Sequence, residues 1–195
     1  MGKIYYIMGK SSSGKDTLYK KIRELRPDLK PIIMYTTRPM RSGEIDGADY
    51  HFITDKDLLE LKKDGRVIES RTYKVDQGIW SYATVFDENL DLSTNSYIAI
   101  GTLVSYQEIL GFFGKKSIVP IYIEVDDNTR IHRALEREEK QENPNYMEMC
   151  RRFLSDSVDF SETELMFCGI HKRFKNNETI EVCLQDILQE MEEQS

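Results

Sequence analysis

Residues 7–17, with the sequence IMGKSSSGKDT, combine two glycines with a lysine and several hydroxyl side chains. Gly9 and Gly14 allow a tight backbone turn in which successive N–H groups can face one anion. Lys15 follows at the spacing G-x-x-x-x-G-K, from which its ammonium group can reach phosphate oxygens. This pattern predicts a loop that binds the phosphates of ATP. It comprises Gly9, Lys10, Ser11, Ser12, Ser13, Gly14, Lys15, Asp16 and Thr17.

Asp16 stands where the common form of this pattern has a serine or threonine, and Thr17 follows it. Mg²⁺ prefers hard oxygen ligands, so both Asp16 and Thr17 are candidates to hold the Mg²⁺ that accompanies ATP. The alternative is that Asp16 only stabilises the first turn of a helix, where negative charge is favoured. The sequence leaves these two interpretations open.

A second polar cluster lies in residues 35–52, YTTRPMRSGEIDGADYHF. Arg38 and Arg41 are three residues apart and can clamp one phosphate through fork-shaped hydrogen bonds. The hydroxyl of Tyr50 can complete such a cage, and Glu44 can support it. Alone, RPMRSGE would be an unremarkable surface turn. Because a kinase needs a second positive pocket facing its donor phosphates, the loop upstream favours an acceptor-phosphate site here.

The pattern of apolar residues predicts the elements that must position these two clusters. Residues 3–8 form an apolar run that predicts a buried strand, and helical spacing follows from Gly14 until Pro27 ends it. The first loop therefore lies between a strand and a helix, as a phosphate loop requires. Further strands are predicted at residues 31–35, 97–100, 118–125 and 173–175. Further helices are predicted at residues 103–113, 128–142 and 146–158, with a last helix presenting Ile180, Leu184, Ile187, Leu188 and Met191 on one face.

This alternation of strands and helices predicts a parallel sheet covered on both faces. Residues 50–84 interrupt it. Thr54 and Asp57 predict a capping box that starts a short helix, which Gly65 ends. Two successive strands follow at residues 67–73 and 79–84, around a turn at residues 76–78. We interpret this segment as a small inserted lobe.

The composition limits the classes of function. The chain has 195 residues, a length that suits one compact domain, and a net charge of −7. Such a charge argues against a general nucleic-acid binder, which normally has a basic face. No apolar run approaches the roughly 20 residues of a membrane span. Three dispersed cysteines, with no secretory signal, favour reduced thiols in a cytoplasmic protein.

The two clusters together resemble the guanylate kinase family in their order and spacing. The family's second motif, T-T-R-x-x-R-x-G-E-x-x-G-x-x-Y-x-F, is met at every fixed position from residue 36 to residue 52. RVIES, at residues 66–70, resembles the strand that carries the family's base-reading glutamate, here Glu69. RALER at residues 133–137, followed by Arg151 and Arg152, is similar to the family's arginine-bearing lid. RFKNN at residues 173–177 resembles its final strand.

The resemblance implies a single α/β domain over residues 1–195. Its core would be a P-loop fold with a parallel sheet flanked by helices, formed by residues 1–35, 85–126 and 160–195. A small mixed-β lobe that binds the nucleoside monophosphate would span residues 36–84, and a helical lid residues 127–159. The implied reaction is ATP + GMP to ADP + GDP, with Mg²⁺ as the metal.

The resemblance also implies roles for particular residues. Those acting on the transferring phosphoryl group would be Lys15, Arg38, Arg133, Arg137 and Arg152. Those binding GMP would be Arg38, Arg41, Glu44, Tyr50, Glu69, Ser81 and Tyr82. A carboxylate at Glu69 can accept from N1–H and the amino group of guanine, whereas adenine has an acceptor at N1. Alternatively, the arginines of the charged helices could serve only solubility and pairing with acids such as Glu138.

The chain departs from the family pattern in three places. One is the serine that the family has a few residues before the arginines, where this chain has Met34 or Tyr35. The family has a Tyr-Gly-Thr-Ser-like segment after its glutamate, whereas this chain has DQGIWSYAT at residues 76–84. Gln77 and Trp80 replace the tyrosine and serine there, and Ser81 or Tyr82 would substitute in a shifted register. The family also tends to carry acidic residues in the strand read here as YIAIGT, residues 97–102, which has none.

Two other functions are consistent with parts of the pattern. A related small-molecule kinase, such as a ribose-bisphosphate kinase, is one, because some of these relatives also carry aspartate after the loop lysine. The complete R-x-x-R-x-G-E-x-x-G-x-x-Y motif argues against it. A non-catalytic guanylate-kinase-like module that binds a phosphorylated peptide is the other, and the intact phosphate loop argues against that.

Overall fold

Strands and helices alternate along most of the chain. The structure is a computed structural model that describes residues 2–75, 78–86 and 90–194. In chain order its elements are β1 (Ile4–Gly9), α1 (Lys15–Leu25), β2 (Lys30–Pro31), β3 (Tyr35–Thr36), β4 (His51–Phe52), α2 (Asp55–Lys63), β5 (Val67–Val75), β6 (Gly78–Val85), β7 (Tyr97–Gly101), α3 (Leu103–Phe113), β8 (Ile118–Glu124), α4 (Asp127–Glu139), α5 (Tyr146–Asp159), α6 (Glu162–Phe167), β9 (Phe174–Lys175) and α7 (Ile180–Glu193).

A five-stranded sheet in the order β2-β7-β1-β8-β9 forms the centre of the molecule, and its strand pairs are parallel. Successive side chains of β1 point to opposite faces. Tyr6 and Met8 pack with residues of α3 and α6, whereas Tyr5 and Ile7 pack with residues of α1 and α7. Both faces of the sheet are therefore buried under helices, which confirms the predicted parallel sheet and its α/β class.

A second, four-stranded sheet has the order β4-β3-β6-β5. It is mixed, since β3 pairs parallel with β4 while β6 pairs antiparallel with both β3 and β5. Helix α2 packs Leu58 against Ala83 and Val85 of this sheet. The predicted capping box at Thr54 and Asp57 is present, and Gly65 follows the helix with φ of 68°. The second, mixed sheet expected from the sequence is thus confirmed.

The structure corrects the single strand predicted for residues 31–35. The Ile32 N–H donates to the Ile98 carbonyl in the parallel sheet, whereas the Met34 carbonyl accepts from the His51 N–H in the mixed sheet. The chain therefore passes from one sheet to the other between these residues, and forms β2 and β3 in place of one strand. An apolar run predicts extended backbone but does not specify which partner strand satisfies its hydrogen bonds.

Three further boundaries differ or lie outside the structure. The helix predicted for residues 128–142 ends at Glu139, while Glu138 accepts a hydrogen bond from the N–H of Asn145. Helix α6, capped by Ser161, was not predicted. The turn expected at residues 76–78 falls partly outside the described residues.

In the part of the chain that the structure describes, none of the helices is both long and apolar enough to span a bilayer.

Candidate active site

One cleft of about 1040 Å³ lies where the parallel strands β1 and β7 end, beside the mixed sheet and α5. In open α/β sheets, ligands bind outside the carboxyl ends of the strands, so this is the expected place for a site. The loop after β1 and the second polar cluster both reach the cleft. The residues that line the cleft include Gly9, Ser11, Lys15, Asp16, Met34, Arg41, Tyr50, Arg71, Tyr73, Trp80, Tyr82, Thr102, Arg151, Arg152, Asp156 and Asp159.

The loop after β1 has the tight backbone that its glycines predict. Gly14 has φ of 86°, and a Cβ atom there would lie 2.5 Å from Nδ2 of Asn176. That same Nδ2 donates a 2.8 Å hydrogen bond to the Ser13 carbonyl, and Asn176 is buried. Ser12 also adopts a positive φ of 63°. The side chain from the segment after β9 thus fixes the loop in the curved conformation that presents N–H groups to an anion.

Lys15 and Asp16 lie together at the start of α1. The Lys15 ammonium is 3.3 Å from a carboxylate oxygen of Asp16, whose side chain is 78% exposed. Both residues line the cleft. An exposed carboxylate beside the phosphate loop is chemically suited to a hard cation such as Mg²⁺. Thr17 is exposed, and among the described residues it is not part of the cleft lining.

An acidic side chain from α5 occupies part of the loop, which sequence reasoning missed. The Ser11 N–H donates a 2.7 Å hydrogen bond to Oδ2 of Asp156. Nη1 of Arg130 lies 3.3 Å from the same oxygen, and the Arg130 side chain is fully buried with its guanidinium 4.2 Å from the centre of the Phe153 ring. Arg130 and Ala134 share the buried i, i+4 stripe of α4, but their spacing in the sequence did not indicate the contact with Asp156.

Arg38 is held by Glu44 behind the cleft. Two hydrogen bonds of 2.8 Å and 2.7 Å join its guanidinium to the two Glu44 carboxylate oxygens, and Arg38 is 4% exposed. The guanidinium lies 5.2 Å from the centre of the Tyr50 ring. Hydrogen bonding to Arg38 lowers the pKa of Glu44 to about 2, and the Arg41 N–H, which also donates to this carboxylate, adds to the effect.

Arg41 is the exposed arginine of the second cluster, and it lines the cleft with Tyr50. The rings of Tyr50 and Tyr73 each make edge contacts with Tyr82, at 5.8 Å and 5.9 Å between ring centres. Burial raises the pKa of Tyr50 above its usual value. The structure therefore brings Arg41, Tyr50 and Tyr82 together with the loop after β1, while Arg38 and Glu44 form an ion pair behind them.

Glu69 and Ser81 lie apart from this cleft. Glu69 is 6% exposed, and its two carboxylate oxygens accept from Nε of Arg71 at 3.2 Å and from the Thr84 hydroxyl at 2.9 Å. Ser81 is also buried, with its hydroxyl 3.0 Å from that of Thr72. Because neighbouring strand residues face opposite ways, Ser81 points away from the side of the sheet that carries Tyr82. Arg71, which sequence reasoning did not single out, lines the cleft instead.

The arginines of α4 and α5 divide into two groups. Arg151 and Arg152 on α5 line the cleft, and Arg151 also pairs with Glu148 at 2.6 Å and 2.7 Å. Arg133 and Arg137 on α4 are not among the lining residues in the described part of the chain. Helix α5 therefore brings the positive charges of Arg151 and Arg152 to the cleft.

A parallel sheet with a lysine-bearing phosphate loop between its central strand and the next helix defines the P-loop class of α/β folds. A sequence model described as guanylate kinase matches residues 1–149, which is more than half of the chain. The chain therefore belongs to the guanylate kinase family.

Individual relatives match shorter segments. The guanylate kinase of Pseudomonas fluorescens (strain Pf0-1) is 38% identical over 68 residues, which cover 35% of this chain and 33% of that protein. The guanylate kinase of Oceanobacillus iheyensis is 40% identical over 72 residues, covering 37% and 35%. The chain thus spans about a third of the length of the curated relatives it matches. A crystal structure of guanylate kinase from Anaplasma phagocytophilum superposes over 99% of this chain and 86% of its own, with a TM-score of 0.63 and 22% identity, which shows the common fold.

Proposed function

We propose that this protein is a nucleoside monophosphate kinase that transfers the γ-phosphoryl group of ATP to GMP in the presence of Mg²⁺. One observation carries the proposal. A single cleft contains Ser11 and Lys15 of the phosphate loop together with Arg41 and Tyr50 of the acceptor motif. A donor triphosphate on the loop and an acceptor monophosphate at Arg41 would then share one space. Family membership supports the same reaction class.

The chemistry asks the protein mainly for positioning and for stabilisation of charge. The loop N–H groups and Lys15 would bind the donor phosphates. Arg41 and the Tyr50 hydroxyl would hold the acceptor phosphate, with Arg38 and Glu44 supporting them from behind. An oxygen of that phosphate forms the new bond to the γ-phosphorus as the bond to the bridging oxygen of ADP breaks. The attacking oxygen is already anionic, so no side-chain base is required.

Mg²⁺ would be held by Asp16, whose exposed carboxylate lies beside Lys15 in the cleft, with Thr17 as the second candidate. When bound, the ion supplies positive charge against the phosphate oxygens of ATP. A single carboxylate together with substrate phosphates is a common way for proteins to bind this ion. The residues present therefore fit the metal that the reaction needs.

Arginines of the lid segment would stabilise the charge on the transferring group. Arg152 is suited to this role because it lines the same cleft as Ser11 and Lys15 of the loop. Arg133 and Arg137 are proposed for the same role from α4, alongside Lys15 and Arg38. Ser81 and Glu69 remain predicted contributors to the acceptor pocket, although both are buried side chains. The proposed partners are small nucleotides.

The test is a measurement of ADP formation from Mg–ATP with a panel of acceptors: GMP, AMP, CMP, UMP, dTMP and ribose 1,5-bisphosphate. We expect acceptor-dependent ADP with GMP, and a loss of about 100-fold or more in Lys15→Met. Preferred use of ribose 1,5-bisphosphate would identify the related small-molecule kinase instead. The absence of ADP with every acceptor, in protein that binds a phosphorylated peptide, would identify the non-catalytic module.

A further inference from the structure

Strand β5 directs a row of alternating residues toward the cleft side of the mixed sheet. Glu69, Arg71 and Tyr73 share one face because side chains alternate along a strand. Arg71 lies directly opposite Tyr82 in the register of β5 and β6, and Glu69 lies opposite Thr84. Of these five residues, only Glu69 and Arg71 carry a charge with which they could bind a ligand. Arg71 lines the cleft, whereas Glu69 lies beneath it with a side chain 2% exposed.

The Arg71 guanidinium is fixed on three sides. Nε donates to Glu69 at 3.2 Å, Nη1 donates to the Thr102 hydroxyl at 2.8 Å, and Nη2 contacts the Met34 sulfur at 3.7 Å. A guanidinium has five N–H donors. One N–H on each terminal nitrogen therefore has no hydrogen-bond partner among the described residues. The Arg71 side chain is 16% exposed, and its exposed part belongs to the cleft.

Glu69 is committed to the protein rather than to a ligand. One carboxylate oxygen accepts from Arg71 and the other from Thr84. A group entering the acceptor end of the cleft would therefore meet hydrogen-bond donors from Arg71 in place of a free carboxylate. Such a surface recognises hydrogen-bond acceptors on the ligand. The resemblance to the family implies the opposite, a Glu69 carboxylate that recognises hydrogen-bond donors on the base.

We propose that Arg71 is the base-recognition residue of this kinase, and that it binds the O6 and N7 edge of a 6-oxopurine. Two adjacent acceptors on one planar edge are the group that an arginine fork binds best among the bases. Adenine carries an amino donor at position 6 and would oppose the same fork. The inference rests on the proposed function and names the class of acceptor as 6-oxopurine nucleoside monophosphates. Within this class, the protein would not distinguish bases by their substituent at position 2.

Two features favour a heterocycle over a second phosphate at this place. The Glu69 carboxylate offsets the positive charge of Arg71, so the pair presents directed donors with little net charge. The rings of Tyr50 and Tyr73 each pack edge to face against Tyr82, and all three rings line the same cleft. Aromatic side chains of this kind pack against another planar ring by stacking or by edge-to-face contact. A sugar bisphosphate offers no planar face to these rings.

Glu69 then acts as a positioning residue. Its hydrogen bond to Nε of Arg71, together with that of Thr102 to Nη1, sets the plane of the guanidinium. A Glu69→Gln variant keeps one acceptor oxygen for Arg71 and loses the charge. It should weaken the dependence of binding on N7 without restoring any dependence on the amino group at position 2.

The test compares GMP with three analogues. IMP lacks only the 2-amino group, 7-deaza-GMP lacks only the N7 acceptor, and AMP lacks the 2-amino group and carries an amino group in place of O6. Both kcat/KM with Mg–ATP and the equilibrium Kd are measured, so that a protein without turnover is still assayed by binding. We expect IMP to equal GMP within about threefold. 7-Deaza-GMP and AMP should each be weaker by about 10- to 150-fold, the usual effect of losing a hydrogen bond from a charged donor.

An Arg71→Met variant and an Arg66→Met control separate this contact from general charge. Arg71→Met should bind GMP and 7-deaza-GMP alike, whereas Arg66→Met, which removes a cation outside the cleft, should keep the parent's preference. If Arg71→Met does not fold, the analogue series on the parent protein decides alone. A large loss with IMP and none with 7-deaza-GMP would overturn the inference in favour of Glu69 while leaving the kinase proposal intact. Exclusive use of ribose 1,5-bisphosphate would overturn both.

Discussion

The backbone N–H of Ser11 donates a 2.7 Å hydrogen bond to the carboxylate of Asp156, which places an anion from α5 on the phosphate loop. Arg130 supports this arrangement from the buried side, with Nη1 at 3.3 Å from the same carboxylate oxygen. The loop N–H groups are the donors that a bound phosphate would use. A donor nucleotide bound at this loop, as proposed, would therefore compete with Asp156 for the Ser11 N–H or share that part of the loop with it through a cation.

The first prediction is that Asp156→Asn binds metal-free ATP about 3- to 10-fold more tightly than the parent. The asparagine oxygen can still accept from Ser11, but the negative charge that repels phosphate is removed. Titration calorimetry without Mg²⁺ measures the effect. The matched control is Asp159→Asn, which alters another cleft carboxylate of α5 that bonds to Ser155 rather than to the loop. Equal affinities in Asp156→Asn and the parent would show that Asp156 does not compete with phosphate.

The two polar clusters could be predicted from the sequence because their chemistry is local. A tight turn needs glycines at set spacing, and the strand before Gly9 and the helix after Gly14 are visible as apolar patterns. The same holds for the capping box of Thr54 and Asp57. In each case the residues that cooperate are within a few positions of one another, so their spacing alone carries the information.

Other contacts of this site join residues that are far apart in the chain, and the spacing of these residues in the sequence did not indicate that they would meet. Asp156 reaches Ser11 across 145 positions, and Arg71 reaches Thr102 across 31. Whether Glu69 faces a ligand or an internal arginine depends on which side chain fills the space between β5 and the cleft. Likewise, the crossing between the two sheets near Ile32 depends on partner strands and not on the local apolar run.

The second prediction concerns the pH dependence of stability through Glu44. Its pKa is lowered from 4.5 to about 2, chiefly by the hydrogen bonds from Arg38. A carboxyl group with a lowered pKa in the folded state stabilises the fold above its unfolded pKa, and this stabilisation is lost as the pH falls toward the folded pKa. Glu44→Gln should therefore lower the free energy of unfolding by about 1.5–3 kcal/mol at pH 7. The difference from the parent should shrink as the pH falls from about 4.5 toward 2.

Urea unfolding of both proteins between pH 7 and pH 3 measures this difference. Glu60→Gln serves as the control, because Glu60 is an exposed glutamate with only a 3.9 Å contact to Lys56. It should unfold like the parent across the range, since exposed ion pairs contribute little. A Glu44→Gln difference that stays constant down to pH 3 would contradict the role assigned to the Arg38 pair.

The third prediction is that Arg41→Met raises the KM for the acceptor by about 10- to 150-fold, with a smaller effect on the KM for ATP. Arg41 is the exposed arginine beside Tyr50 in the cleft, so it is free to meet the acceptor phosphate. Losing a charged hydrogen bond costs about 1.5–3 kcal/mol, which gives this range. Steady-state kinetics with each substrate varied in turn provide the measurement. Arg23→Met is the control, because Arg23 lies against Tyr19 in the last turn of α1, away from the end of that helix that lines the cleft. Equal rises in both KM values would remove Arg41 from the acceptor site.

The fourth prediction is that metal binding and ATP binding are unusually interdependent because of Asp16. Its carboxylate is 78% exposed and lies 3.3 Å from the Lys15 ammonium. Without a cation between them, this carboxylate and the ATP phosphates repel each other. The parent should therefore bind metal-free ATP poorly, and Asp16→Ser should bind it better by about 3- to 10-fold, while both bind Mg–ATP.

Calorimetric titrations with and without Mg²⁺, combined with thermal unfolding, separate a metal role from a helix-start role. Asp55→Ser is the matched control, because Asp55 is also an acidic residue in the first turn of a helix but lies in α2. If Asp16 served only the helix dipole, Asp16→Ser and Asp55→Ser would each lower stability by about 0.3–1 kcal/mol and leave ATP binding alone. Equal binding of metal-free ATP by Asp16→Ser and the parent would therefore assign Asp16 to the helix start and make Thr17 the better candidate for the metal. A gain confined to Asp16→Ser would assign its carboxylate to the cation.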